Sequence, residues 1–159
     1  MNQNGHYELG EALNSEVGEL KLQTGLKRSE IVSVQSLSRA VVDVFKVSKE
    51  ELFSRRRHRY LTAPRHVLFF LAYRYTVYSL PKLGKMFGRD HTTILHGVDK
   101  IRKQKNENPE LETLIQEVYL LALEYEVDRE EKMERYREEV AQMIEAIKDK
   151  RQKESGLYE

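Results

Sequence analysis

Only six residues lie between Pro81 and Gly88. A helix-start signal, Ser79-Leu80-Pro81, set so close to a turn-forming glycine leaves room for a helix of about two turns. That helix carries Leu83, Met86 and Phe87. Two residues after the glycine, Asp90 is placed to cap a second helix. Ile94, Leu95, Val98 and Ile101 recur along it at spacings of three and four and are expected to point inward. A short helix, a glycine able to take positive φ and a capped second helix make a helix-turn-helix.

The flanking segments agree with an all-α fold. Leu37, Ala40, Val41, Val44 and Phe45 line one face of a helix with Ser33 or Ser36 as its cap. Ser48-Lys49-Glu50-Glu51 reads as a capping box opening a short helix through Leu52 and Phe53. Arg55-Arg56-Arg57-His58-Arg59 is a basic loop. Thr62-Ala63-Pro64 starts a helix with Val67, Leu68, Leu71, Ala72 and Tyr75 as its buried stripe. Asn106 and Pro109 end the helix that Asp90 begins, and no breaker follows until Gly156. Strand alternation and internal repeats are both lacking.

Charge divides the chain more sharply than the overall +1 suggests. Residues 36–105 hold 16 Lys and Arg against 5 Asp and Glu, whereas residues 106–159 hold 8 against 16. A compact basic block suits a polyanionic partner. The chemistry at the second helix narrows this. Its N-terminal residues are the ones such a helix presents to base edges in the major groove. Asp90 can accept from a cytosine amino group, and His91 can bond a base or a phosphate. The methyls of Thr92 and Thr93 suit thymine methyls while their hydroxyls suit phosphate. Arg89 beside them is expected to contact the backbone, and the free amides of the helix start favour a phosphate.

From about Val34 to about Leu123 the sequence resembles the C-terminal DNA-binding domain of the bacterial replication initiator DnaA. The most specific part is Phe87-Gly88-Arg89-Asp90-His91-Thr92-Thr93-Ile94-Leu95-His96, with Ser79-Leu80-Pro81, Ser54-Arg55-Arg56-Arg57 and Pro64-Arg65 upstream. The resemblance implies a helix-turn-helix of the DnaA domain IV, Trp-repressor-like type. It implies that Arg57 enters the minor groove over A·T pairs, where the narrow groove concentrates negative potential. Arg65 and Thr93 become phosphate and edge contacts, Pro81 touches thymine methyls, and Asp90, His91 and Thr92 read the major groove. The implied partner is double-stranded DNA bearing AT-rich sites like the DnaA box. The chain departs from the family pattern in having one glycine before Arg89, His66 in place of a glutamine that would face the DNA, and Tyr73 in place of a basic residue.

The expected organisation is a polar arm over 1–32, the DNA-binding domain over 33–123 and a charged helical extension over 124–159. The arm's Leu9, Leu13, Val17 and Leu20 could share a helical face interrupted by glycine. The C-terminal helix carries two stripes: Leu111, Ile115, Val118, Ala122 and Tyr125, expected to pack on the DNA-binding core, then Tyr136, Val140, Met143 and Ile147. Between them, eleven of the fourteen residues from Glu126 to Glu139 are charged, with Asp128–Lys132 and Glu131–Arg135 as i,i+4 pairs. The second stripe is expected to pair two chains as a homodimer or to fold back as a hairpin.

Other classes are disfavoured. No cysteine is present, and His91 and His96, five apart, do not share a helical face, so no metal is expected. No nucleophile–base set stands out, so catalysis and a cofactor are not expected. Gly84-Lys85 lacks the partner glycine and hydroxyl of a phosphate loop, which makes the expectation a DNA-binding protein without the initiator's ATPase. The absence of an apolar run of membrane-spanning length, and of a secretory start, makes it a cytoplasmic, nucleoid-associated one with no membrane partner. Its function is then regulation of replication or transcription. The rival reading is an adaptor whose acidic helix binds a replication or transcription protein. RNA is disfavoured, since the A-form major groove is too narrow for a helix.

Overall fold

The computed structural model describes residues 28–156; the glycine-interrupted face proposed for the N-terminal arm lies outside them. Two compact units are separated between Leu123 and Glu124.

The first unit is built from helices whose ends follow the local signals. Helix α1, Val34–Phe45, is capped by Ser33, whose side chain accepts from the Ser36 amide at 3.1 Å. Ser36 itself lies buried inside the helix. Helix α2, Lys49–Phe53, opens on a complete capping box. The Glu51 amide donates to Ser48 Oγ at 3.1 Å, and the Ser48 amide donates to Glu51 Oε2 at 2.9 Å. A 3-10 turn at Arg59–Leu61 runs directly into α3, Thr62–Tyr75, so this helix starts without a side-chain cap. Helix α4 covers Leu80–Phe87 and ends at Gly88, whose φ of 61° is one that glycine adopts without cost. Helix α5, His91–Lys105, starts at Asp90. Helix α6 runs from Pro109 to Ser155.

Helix α3 is the central element. Val67 through Ala72 are all buried, which no amphipathic surface helix would permit. It packs against α1 on one side and α5 on the other, while α4 packs on α5. Leu37, Val41, Leu61, Leu68, Leu71, Leu83, Ile94, Ile101 and Val118 form the core with Phe69, Phe70 and Phe87. Each such side chain contributes about 1.5–3 kcal/mol through removal from water. Phe87 links α4 to its neighbours, 5.4 Å from Phe69 and 5.8 Å from Phe53 between ring centroids. The start of α6 is fixed by Tyr119, which stacks on Tyr75 at 3.9 Å and donates its hydroxyl to the Glu30 carbonyl at 2.8 Å.

Leu95, expected to point inward, does not, and Met86 of the short helix is likewise exposed. Met86 is 39% exposed and Leu95 is 37% exposed. The inward stripe of α5 is instead Ile94, Gly97, Val98 and Ile101. A glycine takes the place where a side chain would collide, because a Cβ on Gly97 would sit 2.9 Å from His66 Cδ2 and 3.0 Å from Phe69 Cδ2.

The second unit, within the described residues, is the remainder of α6. Met133, Tyr136, Met143, Ile144 and Ile147 are exposed on it. Its ion pairs include Arg129–Glu126 and Arg137–Glu134 at i,i+3, and the expected Asp128–Lys132 and Glu131–Arg135 pairs are not among them. Among the described residues no helix is long and apolar enough to cross a membrane.

Candidate nucleic-acid interface

A helix start leaves amide donors unpaired, and what covers them decides what the end can do. At α5 the cover is minimal. Asp90 Oδ1 accepts from the Thr92 amide at 2.8 Å and from the Thr92 hydroxyl at 2.6 Å, and lies 3.6 Å from His91 Nδ1. The two hydrogen bonds from Thr92, hydroxyl first, hold the Asp90 carboxyl below its ordinary value, so it is ionised at neutral pH. Asp90, His91, Thr92 and Thr93 are all exposed. In the free chain the Thr92 hydroxyl donates to Asp90 and not outward. Thr93 carries no such commitment among the described residues.

The approach of α4 to this first turn is close because residue 84 has no side chain. A Cβ on Gly84 would stand 2.7 Å from the Arg89 carbonyl oxygen and 3.3 Å from the His91 amide nitrogen. The Arg89 amide donates to the Gly84 carbonyl at 2.9 Å. Backbone meets backbone here, so the turn geometry is rigidly set.

The first turn opens onto a cleft of about 870 Å³. Eight of the nine residues expected at the site line it: Arg57, Arg65, His66, Pro81, Arg89, Asp90, His91 and Thr93. Thr92 lies beside them. The basic loop and the helix-turn-helix thus share one face although more than thirty residues separate Arg57 from Asp90. Arg55 and Lys85 also line the cleft and were not among the expected contacts. The spacing could have shown Lys85, which follows Pro81 by four residues on the same side of α4. Five Lys and Arg side chains face the cleft against the single carboxylate of Asp90. Such a concentration of one sign draws in polyanions.

Not every expected contact is available in the expected way. Arg57 is exposed and without a hydrogen-bond or ion-pair partner among the described residues. Arg65, expected at a phosphate, is occupied with its own chain. Its Nε donates to the Leu52 carbonyl at 3.0 Å, Nη1 to that of Arg56 at 2.6 Å, and Nη2 to those of Glu51 at 2.8 Å and Ser54 at 2.7 Å. Arg89, expected at the DNA backbone, donates through Nη2 to the same Ser54 carbonyl. Burial lowers the pKa of both guanidinium groups, and Arg89 lowers that of Arg65 further. His66 is half-buried at the floor of the cleft. Burial lowers its pKa, with Lys100 and His96 adding to the effect, so its imidazole is neutral at pH 7. Its ring packs against Phe69 and over Gly97, which makes it first a spacer between α3 and α5.

Residues 34–101 match the family model of the bacterial dnaA protein helix-turn-helix. The chain is similar to the chromosomal replication initiator protein DnaA of Leptothrix cholodnii, 40% identical over 81 residues, which is 50% of this chain and 16% of that protein. The same-named protein of Treponema denticola is 39% identical over 95 residues, covering 59% of this chain and 20% of the relative. That of Bordetella avium is 38% identical over 103 residues, 64% and 21% respectively. The matched region thus spans about a fifth or less of these relatives' length.

Proposed function

We propose that this DnaA domain IV-like protein binds double-stranded DNA at AT-rich sites of the DnaA-box type. The observation that carries the proposal is the single cleft uniting the exposed first turn of α5 with the unpaired guanidinium of Arg57. A helix start seated in the major groove would bring Asp90 Oδ2, His91 and the Thr92 methyl to base edges. Arg57 would lie in the adjoining minor groove, whose narrowness over A·T pairs favours a guanidinium. Arg55 and Lys85 would neutralise phosphates at the rim. Thr93 would offer its hydroxyl to another phosphate, and Pro81 an apolar surface to thymine methyls. None of these roles includes a bond-breaking step, so the proposal is for binding: occupancy of initiator-type sites in control of replication or transcription.

Titration of labelled duplexes decides it. A box-type duplex should bind more tightly than a scrambled one at physiological salt, with affinity falling steeply as salt rises because several phosphates are neutralised. Equal affinity for both duplexes removes sequence preference. Little affinity for either at any salt favours the adaptor reading, in which the acidic helix meets a protein partner.

The exposed Met133, Tyr136, Met143, Ile144 and Ile147 of the second unit support pairing of two chains through this stripe. Two linked binding units would favour paired sites. Sedimentation that finds a monomer at tens of micromolar removes the pairing.

A further inference from the structure

The Ser54 carbonyl receives two guanidinium groups from different parts of the fold. Arg65 arrives from α3, which also bonds the carbonyls of Glu51, Leu52 and Arg56, so four of its five N–H donors are held by the α2 end and the loop after it. Arg89 arrives from the turn between α4 and α5, one residue before the capping Asp90. Like-charged groups at one acceptor repel, and the arrangement persists because both are planar forks aimed at main-chain oxygen. Three residues beyond Ser54 stands Arg57, with no tether of its own.

We propose that Arg65 and Arg89 form a clamp on Ser54 that fixes the basic loop relative to the first turn of α5, so that Arg57 and the base-reading residues are held at one spacing. Both are positioning residues. They act on DNA through Arg57 rather than through phosphates. The proposal rests on the DNA-binding reading given above, and its geometry concerns the free chain.

The double variant Arg65→Lys, Arg89→Lys keeps both charges and removes both forks. In the free chain, amide order parameters of residues 55–58 should fall from about 0.85 to below about 0.6. On DNA the slope of affinity against salt should stay as in the wild type, since the charge is unchanged. Preference for the AT-rich box over a scrambled duplex should fall about tenfold, and adding Arg57→Ala should cause no further loss, as for residues acting in one unit. Order parameters that stay near 0.85 overturn the clamp. So does an Arg57→Ala change that costs as much in the lysine variant as in the wild type. Should the double variant melt far below the wild type, Arg89→Lys alone is read by duplex preference and by the Arg57→Ala comparison, because it keeps all four Arg65 bonds and cuts only the link between the loop and the first turn of α5; a preference equal to wild type then overturns the clamp. A wild-type chain with no box preference defeats the DNA-binding reading, while the order parameters still judge the clamp.

Discussion

Thr92 donates both its amide and its hydroxyl to one oxygen of Asp90, Oδ1, at 2.8 and 2.6 Å. The carboxylate is therefore divided. One oxygen caps the helix, and Oδ2 has no partner among the described residues and remains available as an acceptor. The two roles usually set in opposition for such an aspartate, cap and reader, are compatible here because they use different atoms.

Asp90→Asn should separate them. The amide oxygen still caps, so unfolding by urea should stay close to wild type, whereas Asp90→Ala lowers the midpoint measurably. Both changes should reduce preference for the favoured duplex on the order of tenfold, since each removes a charged acceptor. Anisotropy titrations against box and scrambled duplexes check this; unchanged preference in Asp90→Ala would leave only the capping role.

Acid should weaken both caps in a defined window. Asp90 is depressed from 3.8 chiefly by Thr92, and Glu51 from 4.5 by the Ser48 amide and then the Tyr60 hydroxyl. A depressed folded pKa means a contribution complete above the unfolded value and lost as pH falls through the folded one. Stability should start to drop below about pH 4.5 for Glu51 and below about 3.8 for Asp90. Glu51→Gln and Asp90→Asn should each flatten part of that acid limb in urea titrations run at several pH values.

The Tyr119 phenol should produce the opposite limb. Burial, then Tyr75 and Glu30, push its pKa up from 10.0 to about 12. A raised folded value means stability present below pH 10 and lost as pH rises towards 12. Tyr119→Phe should remove this alkaline component and, through loss of the bond to the Glu30 carbonyl, cost roughly 0.5–1.5 kcal/mol at neutral pH. Denaturant curves at pH 7 and pH 11 test both parts.

Gly84→Ala should be worse than Gly88→Ala for DNA binding. At 84 the new Cβ meets the Arg89 and His91 backbone, so α4 and α5 must separate, costing about 1–3 kcal/mol and shifting the first turn of α5. At 88 the added Cβ meets nothing within 4 Å and only the φ of 61° is penalised, by about 1–2 kcal/mol. Gly88→Asn should recover much of that loss. Comparable stability with loss of duplex preference confined to Gly84→Ala is the expected pattern.

Lys85→Ala and Arg55→Ala should each weaken box and scrambled duplexes alike and reduce the salt slope by about 1. If either alters preference instead, that side chain reads bases.

Much of this was legible in the residues themselves. Ser33, Ser48 and Asp90 cap where their positions imply, Gly88 turns the chain, and the motif from Arg89 to Thr93 marks the exposed turn. What escaped depends on tertiary closure. Three-and-four spacing places Leu95 and Met86 next to the buried stripe but cannot say on which side the neighbouring helix ends. Arg65 looks like a free cation because its acceptors are carbonyls of residues 51–56, whose positions are fixed only when α2 folds against α3. Ser79 has the spacing of a cap yet its side chain makes no capping bond; Pro81 removes one of the two amides such a cap can use, and that of Lys82 is not taken up.

Arg65 reaches only main-chain oxygens at 51, 52 and 56, and its strongest tie at 54 is to the carbonyl as well. Exchanging the loop's side chains leaves those oxygens where they are. Arg55, Arg57 and His58 can therefore be randomised as a library on an unaltered scaffold, which makes this loop the natural place to retune the protein towards new target sequences.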